Sequence, residues 1–274
     1  MPAENLCAVE SHFRFGDNWA SFASGIDAEA IAEAERGLLR LIPRDALAGC
    51  TFLDIGCGSG IHALAALRLG AVRVLAVDID ARSVETTREL LTALAPPGRW
   101  SAEVVSVFDL RPEQFGTFDV VYSWGVLHHT GDLDTAMRRA GGLVAPGGLF
   151  AFALYRATRL DRFWIAEKRW YKSATPGAQR SAQRVYAGLF KLALAATGRS
   201  FKAYQAKKKT ERGMDFDHDV HDWLGGYPYE AIAPAAVASL MQELGFSEVQ
   251  RFARARRELG LFGSGCDEYV YRKG

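Results

Sequence analysis

The 274-residue sequence lacks the features that mark secreted, membrane-spanning and metal-stapled proteins. Its four cysteines are scattered without C-x-x-C spacing, so neither a zinc site nor a disulfide framework is predicted. No apolar run reaches the roughly 18 residues that a membrane-crossing helix needs, and the N-terminus has no basic-then-apolar leader. We therefore expect a cytoplasmic protein without a bound metal, at most peripheral to a membrane.

Repeats, low-complexity tracts and a strong overall charge are also missing. The net charge of +1 gives the whole chain no electrostatic preference for nucleic acid, although charge is unevenly distributed along it. The composition, 49% hydrophobic and 24% charged, is ordinary for a globular protein. The length favours one domain with an elaboration over two independent folds.

A glycine-rich turn near residue 56 is the most informative stretch present. The apolar run 51–53 predicts a strand, and Asp54-Ile55-Gly56-Cys57-Gly58-Ser59-Gly60 follows it. Good helix formers continue over 61–67, which predicts strand, tight turn and helix. Glycines let the backbone approach a ligand closely, and free N–H groups at a helix start favour an anionic or polar group.

The glycines follow the spacing G-x-G-x-G, whereas dinucleotide-binding folds show G-x-G-x-x-G. A second apolar run, 72–77, ends in Asp78, where an acid can accept hydrogen bonds from ribose hydroxyls. With these residues in this order, the chain resembles a class I S-adenosylmethionine (SAM)-dependent methyltransferase. A loop that binds NAD, or no ligand, is the alternative.

The resemblance implies a SAM site with Asp109 accepting from the adenine amine and Phe108 beside the ring. The N-terminal segment is rich in aromatics without helical period, and one interpretation is a cover over the cofactor with Arg14 near the methionine carboxylate. Asp109 as a cap of the next turn, and the N-terminal aromatics as plain edge packing, are the alternatives. The expected cofactor-binding residues are Arg14, Asp54, Gly56, Cys57, Gly58, Gly60, Asp78, Ile79, Phe108, Asp109 and Trp124.

Strands alternating with helices predict an α/β fold with a largely parallel sheet. The resemblance implies a seven-stranded mixed sheet in the order 3-2-1-4-5-7-6, with helices on both faces and the last two strands forming a hairpin. Strands are predicted at 50–55, 72–78, 102–107, 118–123, 149–155, 246–254 and 266–273, and the turn 145–148 precedes the fifth. The expected divisions are a helical cover (1–45), the SAM-binding core (46–155 and 231–274) and a basic helical insert (156–230).

The stretch 122–131 after the fourth strand contains His128 and His129. It is similar to the corresponding motif in ubiquinone-pathway O-methyltransferases, where the resemblance puts it at the edge of the acceptor pocket. A histidine there can serve as a general base, because imidazole titrates near neutral pH. We expect one of the pair to be structural. The fifth strand ends in Ala153-Leu154-Tyr155 and so lacks the catalytic acid of some family members.

Residues 156–212 carry 15 Lys or Arg, including Lys207–Lys209, against three acids. The segment is rich in aromatics and helix formers, and the resemblance implies a lid over the acceptor. Its charge favours an anionic acceptor or a membrane surface, with a plain solvated face as the alternative. An acidic and histidine-rich stretch, 215–222, follows, and His218 with Asp219 is a candidate catalytic pair there. Charge pairing with the insert is the main alternative and a metal site the least favoured one.

Together these features predict a SAM-dependent methyltransferase, an O-methyltransferase with an anionic small-molecule or glycan- or lipid-linked acceptor. A methyltransferase of RNA or protein is one alternative, although no RNA-binding module and no N-P-P-Y-like motif is found. A non-catalytic SAM-binding protein is the other. The catalytic candidates are His128, His129, His218 and Asp219.

Overall fold

The computed structural model describes residues 5–13, 15–205, 216–253, 259–263 and 265–274. Seven strands form one sheet, with helices on both of its faces. The strands are β1 Thr51–Ile55, β2 Arg73–Asp78, β3 Trp100–Val104, β4 Phe118–Trp124, β5 Val144–Tyr155, β6 Phe246–Phe252 and β7 Cys266–Lys273. The helices are α1 Gly16–Ala23, α2 Ala28–Leu41, α3 Arg44–Leu47, α4 Ile61–Arg68, α5 Ala81–Leu94, α6 Pro112–Phe115, α7 Leu133–Gly142, α8 Asp161–Ser173, α9 Pro176–Ala196, α10 Phe216–Gly225 and α11 Pro234–Glu243.

The strand order is β3-β2-β1-β4-β5-β7-β6, which confirms the predicted topology. Strands β1 to β5 are parallel, and β7 lies antiparallel between β5 and β6. Successive residues of a strand face opposite sides, and both sides are buried here: Phe52 belongs to one core cluster and Leu53 to the other. The carboxyl ends of β1, β2 and β4 therefore meet at one edge, where the glycine turn begins.

Two strand predictions differ from the structure. Strand β3 covers Trp100–Val104 rather than 102–107, because its register pairs Val104 with the last residue of β2, Asp78. Strand β5 begins at Val144 rather than 149. Phe118 faces Val144 while Val120 faces Leu149, so the residues expected to form a turn are accommodated as a bulge within the strand.

Residues 16–23 form helix α1, although the sequence of this segment has no helical period. The first backbone N–H of α1 donates to the Asp80 carboxylate at 3.0 Å, and Trp19 packs edge-on against Phe22. The helix thus draws stability from contacts with the core that local periodicity does not reveal. The sequence pattern of 26–42, with Asp27 as a plausible N-cap and Pro43 just past the end, predicts a helix. Helix α2 confirms it, and the Asp27 side chain accepts from the N–H of Ala30 at its start.

The segment between β5 and α11 is largely helical, as expected. Helices α8, α9 and α10 share a small aromatic core that includes Trp164, Tyr171 and Tyr229. In the described part of the chain, no helix combines the length and apolar character required to cross a membrane.

Candidate functional site

The glycine turn is folded so tightly that side chains are excluded from it. Gly56 and Gly58 have φ values of +77° and +53°, a region that favours glycine. A Cβ at Gly56 would collide with the Val126 side chain, and one at Gly58 would lie 3.0 Å from the Trp19 ring. The bare backbone of the turn therefore lies directly beneath Val126, from the loop after β4, and Trp19, from α1.

Asp78, at the end of β2, holds this turn in place. Its Oδ2 accepts from the N–H of Gly58 at 3.1 Å, and its Oδ1 accepts from the N–H of Asp80 at 2.9 Å. Burial raises the pKa of Asp78 to about 6, although these two N–H donors oppose the shift. Ile79 follows it, half-buried. The carboxylate predicted to meet a ribose is thus placed at the turn, with lone pairs left to accept further bonds.

Asp54, in β1, is the buried acid beside the turn. It is 2% exposed, and its Oδ2 has no hydrogen-bond partner among the described residues. Burial, and then the charge of Asp78, raise the pKa of Asp54 to about 7. Two carboxyl groups with raised pKa values, Asp54 buried and Asp78 half-buried, favour a ligand that brings hydrogen-bond donors or positive charge.

Cys57 and Gly60 contribute their backbone, and not a side chain, to the surface of the glycine turn. The Cys57 thiol is buried in the core and accepts a hydrogen bond from the Thr87 hydroxyl at 3.3 Å. Burial raises the pKa of this thiol well above its usual value, so it stays protonated and unreactive. Gly60 precedes α4 in a left-handed conformation, and a Cβ there would also crowd Thr87.

The loop after β3 lies beside the end of β2. Val107–Asp109 form a short 3-10 helix, which is capped by the Ser106 hydroxyl rather than by Asp109. Helix α6 begins after Arg111 without a side-chain cap, so the Asp109 carboxylate does not cap that helix either. Asp109 is exposed and Phe108 half-buried. The adenine role predicted for this pair therefore stays open to test.

Helix α1 connects the glycine turn to the insert, a role that the sequence reasoning assigned only in general terms. The Trp19 ring lies over Gly58, and the Asn18 amide donates to the Asp222 carboxylate of α10 at 2.5 Å. The ring of Phe15 lies 5.6 Å from that of His129. Arg14, predicted to bind the methionine carboxylate, falls outside the described residues. Among the residues that the sequence analysis did not single out, Trp19 had the clearest signal, because it is a large aromatic in a segment expected either to cover the cofactor or to pack at the edge.

The two neighbouring histidines after β4 differ in their hydrogen bonds. His129 Nδ1 lies 2.7 Å from the Pro228 carbonyl, which only accepts, so Nδ1 carries the proton and Nε2 the lone pair. His128 Nδ1 accepts from the N–H of Tyr155 at 3.3 Å, so its proton is on Nε2, which has no partner among the described residues. Burial lowers the pKa of His128 well below its usual range and that of His129 to about 3. Both rings are neutral at pH 7.

A cluster of aromatic rings joins the histidines to the insert. The Tyr155 ring, at the end of β5, has its centroid 3.9 Å from that of His128. It lies 5.2 Å from the Trp223 ring and 5.3 Å from the Tyr229 ring. The predicted acceptor side of the molecule therefore carries aromatic rings in tilted and edge-on contact, an apolar surface that excludes water.

The acidic and histidine-rich stretch lies on α10, and its described members are engaged. His221 Nδ1 lies 2.7 Å from the Tyr171 hydroxyl and 2.9 Å from the Gln183 amide. The side chains of the candidates His218 and Asp219 lie outside the described residues. Within the described ranges, no three His, Cys, Asp or Glu side chains form a group suited to a metal ion.

Trp124, the last residue of β4, is tied to the sheet. Its indole N–H donates to Glu268 Oε1 at 2.8 Å, and the same oxygen pairs with Arg40 at 2.5 Å. The ring packs against the core cluster that contains Phe52. This anchoring fixes the direction in which the loop carrying Val126 and the histidines leaves the strand.

Known proteins resemble this chain in sequence. Residues 52–148 match a family model described as a methyltransferase domain. The chain is 40% identical over 114 residues to the ubiquinone biosynthesis O-methyltransferase of Xanthomonas campestris pv. campestris strain B100, covering 41% of this chain and 46% of that protein. It is 33% identical over 155 residues to the corresponding enzyme of Xanthomonas euvesicatoria pv. vesicatoria, covering 52% and 64%.

Residues 52–148 match the methyltransferase family, and the sheet has the strand order predicted for its class I SAM-dependent members. These matches and the strand order confirm the predicted resemblance. The chain spans about half to two thirds of the length of these curated relatives.

Solved structures agree at the level of the fold. Magnesium protoporphyrin IX methyltransferase from Synechocystis PCC 6803, with bound SAM, gives a TM-score of 0.59 at 11% identity and full coverage of both chains. The N-methyltransferase NodS from Bradyrhizobium japonicum WM9, with S-adenosylhomocysteine, gives 0.50 at 15% identity, covering 88% and 86%. At these identities the likeness concerns the fold alone.

Proposed function

We propose that the protein transfers the methyl group of SAM to a small-molecule acceptor held between the histidine pair and the helical insert. The binding of SAM is supported by the glycine turn and the two carboxyl groups beside it, Asp54 buried and Asp78 half-buried. The bare backbone of the turn is packed beneath Val126 and Trp19, and Asp54 has an unpartnered buried oxygen. These features fit a cofactor with a positive charge and several hydrogen-bond donors.

In this proposal, Asp78 accepts from the ribose hydroxyls and Asp54 from donors of the methionine part. Phe108 and Asp109 contact the adenine, and Trp19 covers the turn and excludes water. SAM itself supplies a methyl group that is already activated on a sulfonium. Catalysis by the chain then rests mainly on holding donor and acceptor in line in a dry site.

In this proposal, His128 and His129 have different roles toward the acceptor. His129 has its lone pair on Nε2, so it is the better placed of the two to take a proton from a hydroxyl acceptor. Its pKa of about 3 makes it a weak base in the ligand-free protein. His128 offers an Nε2–H and therefore serves as a donor that orients the acceptor. We infer O-methylation with assistance from His129, in which positioning contributes more than basicity.

The preference for an anionic acceptor is supported by the charge of the insert. Arg180, Arg184 and Lys191 of α9 line a groove of about 460 Å³ that Val220 of α10 closes on one side. Lys207–Lys209 fall outside the described residues. If the insert recruits an anionic acceptor, neutralising the three groove cations should raise its KM, and added salt should mimic the change. An acceptor KM that is the same in variant and wild type would contradict recruitment by the insert.

A lipid-linked acceptor is supported by apolar side chains exposed beside these cations. Val185, Leu189 and Leu192 project from α9 and are each more than half exposed, as is Phe163 of α8. Exposed apolar groups flanked by Lys and Arg suit the surface of an anionic bilayer. Co-sedimentation with phosphatidylglycerol vesicles should exceed that with phosphatidylcholine vesicles, and Leu189→Ser/Leu192→Ser should reduce it. Equal sedimentation with both vesicles would argue for a fully water-borne acceptor.

The activity is tested in two steps. SAM and S-adenosylhomocysteine should raise the melting temperature, whereas NAD should not, because binding to the folded state alone stabilises it. Asp78→Ala should abolish most of the shift. Mass spectrometry of cell extracts incubated with the protein and isotope-labelled SAM then identifies the methylated acceptor. Stabilisation by NAD and not by SAM would overturn the proposal.

A further inference from the structure

The segment 226–230, which follows α10, is hydrogen-bonded to the loop that carries the histidine pair. The N–H of Glu230 donates to the His128 carbonyl at 2.9 Å. The carboxylate of Glu230 accepts from the N–H of Leu133 at 3.0 Å. One residue of the segment therefore binds the loop near both of its ends, and its side chain forms one of the two bonds.

The same segment holds the ring of His129. The Nδ1–H of His129 donates to the Pro228 carbonyl at 2.7 Å. Because the bond made by one ring nitrogen determines which nitrogen carries the proton, this carbonyl keeps the lone pair on Nε2. The rings of Phe15 and Tyr155 lie 5.6 and 5.4 Å from that of His129 and confine it further. His129 is half-buried, whereas His128 is fully buried, so His129 is the more accessible of the two.

Gly226 lies against the Nε2 edge of the His129 ring. A Cβ at Gly226 would be 2.5 Å from Cε1 and 3.1 Å from Nε2 of His129. The φ of Gly226 is not in the left-handed region, so the backbone conformation does not require glycine there. The ring does require it, because any side chain would displace the imidazole or cover Nε2. The neighbouring Gly225 differs, since a Cβ there would meet the ring of Phe13.

We propose that the segment 226–230 positions His129 for methyl transfer. Glu230 holds the Pro228 carbonyl against Nδ1, and Gly226 leaves the Nε2 edge free of side-chain atoms. Glu230 and Gly226 are therefore positioning residues, which act through His129 and not on the acceptor. The inference rests on the proposed function, in which Nε2 of His129 receives the hydroxyl proton of the acceptor as its oxygen is methylated.

The first test measures the His129 tautomer by NMR on protein with ¹⁵N-labelled histidine, saturated with S-adenosylhomocysteine at pH 7. Signals that disappear in His129→Ala identify the residue. In the wild type, the proton should be on Nδ1. Glu230→Ala should loosen the segment and give a mixture of tautomers. Glu230→Gln keeps an oxygen for the N–H of Leu133, so it should restore the wild-type signals.

The two glycines provide a matched pair for the second test. Gly226→Ala should displace the His129 ring and change its tautomer, whereas Gly225→Ala should not. The rate of methyl transfer from saturating isotope-labelled SAM to a cell extract should fall at least tenfold in Gly226→Ala and Glu230→Ala, because a misplaced catalytic group loses its alignment. Gly225→Ala and Glu230→Gln should stay within about twofold of the wild-type rate.

A wild-type His129 with its proton on Nε2 would overturn the inference, and this measurement decides the matter even if the alanine variants do not fold. Wild-type rates in Glu230→Ala and Gly226→Ala would also overturn it. So would equal losses in Gly225→Ala and Gly226→Ala, because a purely structural role affects both alike. If S-adenosylhomocysteine does not raise the melting temperature of the wild type, the proposed function fails instead, so the two failures are distinguishable.

Discussion

Substituting Asn for Asp54 tests the cofactor site most directly, because it keeps the shape of the side chain and removes its ionisation. The wild-type carboxyl is buried, and its pKa is raised from 3.8 to about 7. In the unfolded chain this group ionises near pH 4, whereas in the folded protein it keeps its proton until about pH 7. The folded state therefore binds more protons between these values, and the ligand-free wild type loses stability as the pH rises through them.

The size of the expected change in stability follows from the pKa shift of Asp54. Each pKa unit corresponds to about 1.4 kcal/mol, so three units set an upper limit of about 4 kcal/mol. We expect Asp54→Asn to gain about 2–4 kcal/mol in the free energy of unfolding, relative to wild type, between pH 4 and 7. The buried histidines act in the opposite direction, since their lowered pKa values reduce stability as the pH falls below about 6.5. They are present in both proteins and cancel in the comparison.

The same substitution should weaken cofactor binding. A hydrogen bond to a charged group contributes roughly 1.5–3 kcal/mol, so the Kd for S-adenosylhomocysteine should rise about 10- to 100-fold. Binding to the wild type near pH 6 should release protons, because donors of the cofactor favour the ionised Asp54. Calorimetry in two buffers of different ionisation enthalpy measures this release, and the variant should show less of it.

The assay for stability is urea unfolding of the ligand-free proteins at pH 5, 6, 7 and 8. Asp45→Asn, an exposed carboxylate at the start of α3, is the matched control and should follow the wild type at every pH. If Asp54→Asn and wild type show parallel pH profiles, or bind S-adenosylhomocysteine equally well, the reasoning about the buried acid is wrong.

Other substitutions address the turn, its cover and the base. Gly56→Ala should lower the free energy of unfolding by about 2–3 kcal/mol in urea unfolding, because its φ is positive and a Cβ would collide with Val126. Trp19→Ala should raise the Kd for S-adenosylhomocysteine by calorimetry, while urea unfolding shows that the fold persists. With a hydroxyl acceptor, His129→Ala should slow turnover roughly a hundredfold without changing SAM affinity. An unchanged rate would instead indicate an amine acceptor or catalysis by positioning alone.

Local chemistry made much of the core predictable. Asp27 as a helix cap, the strand before Gly56 and the helix after it all follow from residues within a few positions of one another. The order of the seven strands came from the resemblance, and the pairing confirms it. The ends of β3 and β5 were misplaced, because strand limits depend on the partner: β3 stops where β2 stops, and β5 runs through a bulge.

The site itself depended on contacts between distant residues. From the sequence, Trp19 was one aromatic among several, and only packing placed its ring over Gly58. The sequence presented His128 and His129 as equivalent, whereas bonds to Tyr155 and Pro228 give them opposite tautomers. Lys168 was one of fifteen cations in a basic segment until the structure showed it buried among aromatic rings.

The sequence by itself thus predicted the resemblance and the glycine turn with Asp54 beside it, because those residues are nearly contiguous along the chain. Asp78 joins them because β2 pairs with β1. Only the tertiary structure showed which side chains cover the turn, which ring nitrogen of each histidine carries the proton, and which cation of the basic segment is buried. Those properties depend on burial and on hydrogen-bond partners up to some 200 positions away, as between Asn18 and Asp222. A buried polar group has no water to bind, so its stability and protonation depend on its hydrogen-bond partners in the protein. Those partners are distant in the chain, and no local sequence pattern identifies them.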